Sequence, residues 1–184
     1  MDKASLRKHI KLKKLALSVE EKQRESEIVF SAIEKMVCFQ SAQSVLFYHS
    51  LPDELPTHEV VETWATMKDL YLPRVKGYDL EVAPFGELVA EKRFGIEEPV
   101  APCVDPSLID LVIVPAVALD KNGNRIGRGK GFYDRFLPKC VNAYKIGVGF
   151  DCQIVENLSV EAFDIPLDAV VSASKTYVIN PFYR

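Results

Sequence analysis

This sequence lacks any pair of cysteines close enough to grip a metal or to cycle as a redox couple. Cys38, Cys103, Cys140 and Cys152 stand far apart with no CxxC spacing, which argues against a zinc ribbon or a thioredoxin-type site. They read as reduced thiols of a cytosolic protein, mostly buried. No apolar run approaches the ~18 residues of a membrane span, and the N-terminus lacks the apolar core of a secretion signal. That N-terminus is basic but poor in serine and carries Asp2, which argues against a mitochondrial presequence. The expectation is a cytoplasmic protein. A large charge excess is missing as well: the net charge is −3, so bulk charge does not point to nucleic acid, and local basic clusters must be judged singly. Internal repeats, low-complexity tracts and a convincing linker are also absent. The remaining composition is ordinary for a folded chain: 184 residues, 48% apolar and 27% charged. That suits one domain, or one with a small appendage, with enough chain to bury a core.

Residues 2–16 read as a first helix. A second begins near Ser18, where Ser18 and Glu21 have capping-box spacing, and Ile28, Phe30, Ile33 and Val37 recur at roughly helical intervals. Residues 45–48 predict a buried strand; Pro52 and Pro56 break the segment after it, and Thr57 is placed to cap a helix carrying Val60, Val61 and Trp64. Residues 70–72 and 80–83 look like strands, followed by an irregular stretch punctuated by Pro84, Gly86, Gly95, Pro99, Pro102 and Pro106. Residues 111–114, behind Asp110, make the clearest central strand. A polar, glycine-rich loop over 120–131 leads to a short helix at 132–137 stopped by Pro138, and strands are expected at 145–148, 169–171 and 176–179. Alternating strands and helices predict an α/β fold with a largely parallel sheet covered by helices.

The strongest chemical signal runs from Gly123 to Arg135: Gly-Asn-Arg-Ile-Gly-Arg-Gly-Lys-Gly-Phe-Tyr-Asp-Arg. Gly127, Gly129 and Gly131 let backbone approach a ligand and adopt positive φ. Arg125, Arg128 and Lys130 supply cations, and a helix start adds free amides, so the segment reads as a phosphate cradle. It is neither a Walker A loop, because Gly131 follows Lys130, nor a dinucleotide fingerprint, because Phe132 stands where glycine is needed. The plainer reading is a solvated hairpin, and the position after a buried strand weighs against it. Asp134, just past the loop, is a natural Mg²⁺ ligand beside phosphates, or simply a first-turn aspartate favoured by the helix dipole. Lys3 and Arg7 share one helix face; alone they would pass for a solvated basic surface. His49, Asp53 and Glu54 lie between a strand and the next helix, where Glu54 could meet an amine or ring NH, or form only a polar turn. Asp168, before a strand, is either a second metal ligand or a strand-edge residue.

These residues together resemble the 5-formyltetrahydrofolate cyclo-ligase family, also called 5,10-methenyltetrahydrofolate synthetases. The most specific match is Asp120-x-x-Gly123-x-Arg125-x-Gly127-x-Gly129-x-Gly131-Phe132-Tyr133-Asp134. Lys3-x-x-Leu6-Arg7 and Glu54-x-x-Thr57 come next, with weaker support from Ile96-x-Glu98-Pro99 and Asp168-x-Val170, all in family order over nearly the whole chain. The resemblance implies a single α/β domain over residues 1–184 with a Rossmann-like, mostly parallel sheet flanked by helices. It implies that ATP and Mg²⁺ serve to convert 5-formyltetrahydrofolate into 5,10-methenyltetrahydrofolate, ADP and phosphate. Carried over residue by residue, it implies nucleotide contacts from Lys3, Ala4, Ser5, Leu6 and Arg7 and from Arg125, Ile126, Gly127, Arg128, Gly129, Lys130, Gly131, Phe132 and Tyr133. Folate would meet His49 and Glu54 together with Arg128 to Phe132; Asp134 and Asp168 would hold magnesium; Arg125, Arg128 and Lys130 would balance charge on the moving phosphoryl group. The expected partners are these small molecules, without nucleic acid or membrane, on a monomer. The competing readings are a sugar-phosphate or CoA-handling enzyme with the same anion loop, a nucleic-acid module using the basic segments, and a non-catalytic nucleotide sensor.

Overall fold

The computed structural model describes residues 2–90 and 97–182; Gly95 and Ile96, singled out above, lie outside the described residues. The chain opens with α1 (Lys3–Leu15), α2 (Val19–Glu34) and α3 (Val37–Ser41). The Asp2 carboxylate accepts from the Ala4 and Ser5 amides, two of the donors that a helix start leaves free. The Ser18–Glu21 capping box forms at the head of α2. Val37, expected to prolong that periodicity, instead opens α3 and is exposed, as is Ile28. The stripe of α2 that is buried carries Ser26, Val29, Phe30 and Ile33, spaced by three and four residues as a core-facing helix requires.

Then come β1 (Ser44–Leu46), α4 (His58–Ala65), and a hairpin of β2 (Asp69–Lys76) with β3 (Asp79–Pro84). The stretch expected to be irregular holds β4 (Leu88–Ala90) paired antiparallel with β5 (Glu97–Pro99). Next are β6 (Leu111–Pro115), a small hairpin of β7 (Ala118–Asp120) and β8 (Arg125–Ile126), and α5 (Phe132–Phe136). The chain ends with β9 (Tyr144–Val148), β10 (Ile154–Val155), β11 (Ala169–Val171) and β12 (Thr176–Val178). The main sheet has seven strands in the order β12-β11-β9-β6-β1-β2-β3. From β11 to β2 every pairing is parallel, and β12 and β3 close the two edges antiparallel.

Both faces of this sheet are covered. On one, α2, α3 and α4 build a core around Trp64, whose ring lies 4.4 Å from Phe39, 4.9 Å from Phe47 and 5.8 Å from Phe30. Its indole nitrogen is satisfied by a 2.7 Å bond to Glu34, as a buried polar tip needs. On the other face, Leu46, Val112, Val114 and Val170 meet Phe136, Leu137 and Leu167. Residues 111–114 of β6 have no exposed surface, matching the continuous apolar run of a parallel strand covered on both sides. After β1 the chain winds to β2 on one side, then returns to place β6 on the other. The direction of winding therefore reverses between β1 and β6, and a crevice opens beyond their carboxyl ends.

Candidate active site

That crevice is a cavity of about 520 Å³, within the size range of small-molecule sites. Tyr48, His49 and Glu54 line it from the segment after β1, and residues 115–117 from the end of β6. Leu72 and Leu80 contribute an apolar wall from the β2–β3 hairpin. The glycine-rich segment from Arg125 to Asp134 forms the longest wall, and Lys3 and Arg7 reach in from α1. Gly129 (φ 94°) and Gly131 (φ 67°) take the left-handed conformation; Gly127, contrary to expectation, does not. A Cβ at Gly131 would lie 2.6 Å from the Arg135 guanidinium. Arg7 ties α1 to the loop by donating from Nε to the Gly127 carbonyl at 2.8 Å. The helix after the loop has five residues, too short for a large dipole, so cations rather than a helix field dominate this wall.

Most of those cations are neutralised within the protein. Arg128 donates to Asp53 at 2.5 Å and to Glu54 at 2.9 Å. Asp53 also accepts from the buried Lys14 ammonium at 2.7 Å. Burial raises the Asp53 pKa, but the bonds from Arg128 and Lys14 outweigh it and hold the carboxyl at about 2. The second oxygen of Glu54 accepts from the Leu51 amide at 3.0 Å, fixing that side chain at the cleft wall. Arg125 is almost wholly buried and pairs with Asp134 at 2.5 Å, while its Nε is buried and, among the described residues, has no hydrogen-bond partner. Lys3 bridges Glu161 and Asp164, each at 3.0 Å. Lys130 is exposed, and among the described residues its ammonium makes no hydrogen bond or ion pair. Burial pushes the Tyr133 phenol up, so it stays a neutral donor beside Arg125, 5.8 Å from its ring.

The chain as a whole, sequence and fold together, has counterparts among known proteins. The chain matches the sequence model of the 5-formyltetrahydrofolate cyclo-ligase family over residues 1–173. It belongs to that family. A 5-formyltetrahydrofolate cyclo-ligase of Escherichia coli is 40% identical over 149 residues, covering 74% of this chain and 81% of the relative. The mouse protein of the same name is 27% identical over 187 residues, with 92% of each chain covered. The solved Aquifex aeolicus 5,10-methenyltetrahydrofolate synthetase superposes with a TM-score of 0.89 at 33% identity, over 100% of this chain and 96% of that one.

Not every residue carried over from the cyclo-ligase motif reaches this cleft. Of the first helix only Lys3 and Arg7 line it. Ala4 and Ser5 are exposed where Asp2 caps the helix, and Leu6 packs with Ile10 and Ile126. The loop from Arg125 to Asp134 lines it without a gap, Ile126 and Phe132 included. Asp168 requires a correction: the structure does not bring it to Asp134. It precedes β11, at the amino edge of a sheet whose carboxyl edge forms the cleft. There its carboxylate accepts from the Lys145 amide and the Asn180 side chain, each at 2.8 Å. Glu98, by contrast, lines the cleft, where it is largely buried and accepts from the Val75 amide at 2.7 Å. Sequence reasoning missed Lys14 as the partner of Asp53, and Glu161, Phe163 and Asp164 as a wall beside Lys3. The last three carry no local signal, since only the tertiary fold brings them there.

Proposed function

We propose that the protein uses ATP to close 5-formyltetrahydrofolate to 5,10-methenyltetrahydrofolate, releasing ADP and phosphate. The observation that carries this reading is the meeting of Glu54 with Arg125, Arg128 and Lys130 in one cavity. A formamide is a weak electrophile with a poor leaving oxygen, and phosphorylation of that oxygen removes both obstacles. The formyl oxygen attacks the γ-phosphorus and ADP departs. The neighbouring nitrogen N10 then attacks the activated carbon, the C–O bond to phosphate breaks, and N10 releases its proton to solvent. The protein positions the two substrates and balances charge. Arg125, Arg128 and Lys130 face the phosphoryl group, with Lys3, Arg7 and the backbone from Ile126 to Tyr133 holding the nucleotide. Glu54 accepts from the pterin NH groups, and His49 and Phe132 border the folate.

Asp134 fits a magnesium ion, being a partly exposed carboxylate in the cleft beside the phosphate loop. Mg²⁺ binds through one or two carboxylates and otherwise through phosphates and water. When bound, the ion neutralises phosphate charge. Asp168, at the other edge, has no part in this. The same reading takes the protein as a cytoplasmic monomer working as one domain, in keeping with cysteines that are free; among the described residues no helix is long and apolar enough to cross a membrane. The test is to mix protein, Mg-ATP and 5-formyltetrahydrofolate, following methenyl absorbance and ADP together. Equimolar appearance of both, each requiring the other substrate, is expected. Absence of product together with absence of folate binding would overturn the reading and favour a sugar-phosphate or CoA ligand.

A further inference from the structure

We propose that His49, His58 and Glu97 form a site for a divalent transition-metal ion of the Zn²⁺ type at the rim of the cleft. One donor atom from each side chain lies within 4.8 Å of the other two. The three come from separate elements: His49 follows β1, His58 is the first residue of α4, and Glu97 is the first of β5. The imidazole rings are 3.9 Å apart, and Nδ1 of His49 lies 3.3 Å from the Glu97 carboxylate. A tetrahedral ion with bonds of ~2.0–2.1 Å sets its ligand atoms roughly 3.4 Å apart. The donors therefore need to close by up to about 1.4 Å to reach that spacing, and His58 and Glu97 are exposed and able to turn.

The donor set selects the ion. Two imidazoles and one carboxylate suit Zn²⁺ or Co²⁺ and not Mg²⁺, which prefers oxygen alone. Ser50 Oγ lies 3.3 Å from Nδ1 of His58, a contact that steadies the ring while leaving its other nitrogen available. Three protein ligands leave one position open to solvent. His49 and Glu97 also line the cleft, so on the reading proposed above the ion would occupy part of the folate end.

The test needs no turnover. Metal-stripped full-length protein is titrated with Co²⁺ while its visible ligand-field absorption is recorded. One ion per chain with a four- or five-coordinate spectrum is expected, displaced by Zn²⁺ and not by Mg²⁺. His58→Ala and Glu97→Gln, each checked by circular dichroism for an intact fold, should weaken binding at least about tenfold. Cys103→Ser and Cys152→Ser should leave it unchanged. No ligand-field band, a band unchanged in His58→Ala, or a band lost in either cysteine variant would overturn the proposal.

Discussion

At the scale of single residues, the cleft holds cations paired with the protein's own carboxylates and, among the described residues, a lysine whose ammonium is unpaired. Arg125 and Arg128 are committed to carboxylates of the protein itself, whereas Lys130 extends into solvent. Lys130→Ala should therefore lower kcat by about 10²–10³-fold, the size of effect seen when one charge-stabilising donor is removed. Its melting temperature should stay within about 2 °C of the parent, because truncating an exposed side chain costs at most about 0.5 kcal/mol. A collapse of folding in that variant would contradict this division. Asp53 makes the opposite case. Its carboxyl is held at about 2, below the usual 3.8. Because the folded value is depressed, its contribution to stability is complete above about pH 4 and disappears as pH falls toward 2. Asp53→Asn removes that dependence, so urea titrations should show the gap between variant and parent narrowing across this window.

At the scale of elements, backbone geometry sets the sharpest expectation. Gly123 in the β7–β8 turn has φ 81°, and a Cβ there would lie 2.5 Å from the Leu167 carbonyl. Gly123→Ala should destabilise the fold by about 2–3 kcal/mol, as strained backbone conformations do, measured by equilibrium unfolding. Gly86→Ala, where a Cβ meets nothing within 4 Å, should stay within about 0.5 kcal/mol. Features that rest on neighbours in the chain are legible in the sequence: the Ser18–Glu21 box, the apolar run of β6 and the charge-studded glycine loop. The break at Val37 is not, because a helix can stop and restart without disturbing its apolar spacing. Nor is the β4–β5 pair, which forms across residues that local signals assign to loop. Asp168 misleads for a related reason. Whether a residue before a strand lies at the amino or carboxyl edge of the sheet depends on strand direction, and composition near Asp168 does not encode it.

At the scale of the whole molecule, the cleft is a product of topology. Four chain segments far apart in sequence, around Lys3–Arg7, Tyr48–Glu54, Arg125–Asp134 and Glu161–Asp164, converge only because the winding reverses between β1 and β6. The Arg128 bridge to Glu54 spans two of them, and on the residue roles proposed above it links the binding of the two substrates. A nucleotide whose phosphates draw Arg128 away liberates Glu54 for the pterin, and a pterin that claims Glu54 liberates Arg128 for phosphate. Each substrate should therefore bind more tightly when the other is present, by the same factor in both directions. Calorimetric dissociation constants for 5-formyltetrahydrofolate with and without a non-hydrolysable ATP analogue would reveal that factor, and in Arg128→Ala it should fall toward one. On that proposal the salt bridge across the cleft is a shared counter-ion, handed from one half of the site to the other, that makes the first ligand to arrive the recruiter of the second.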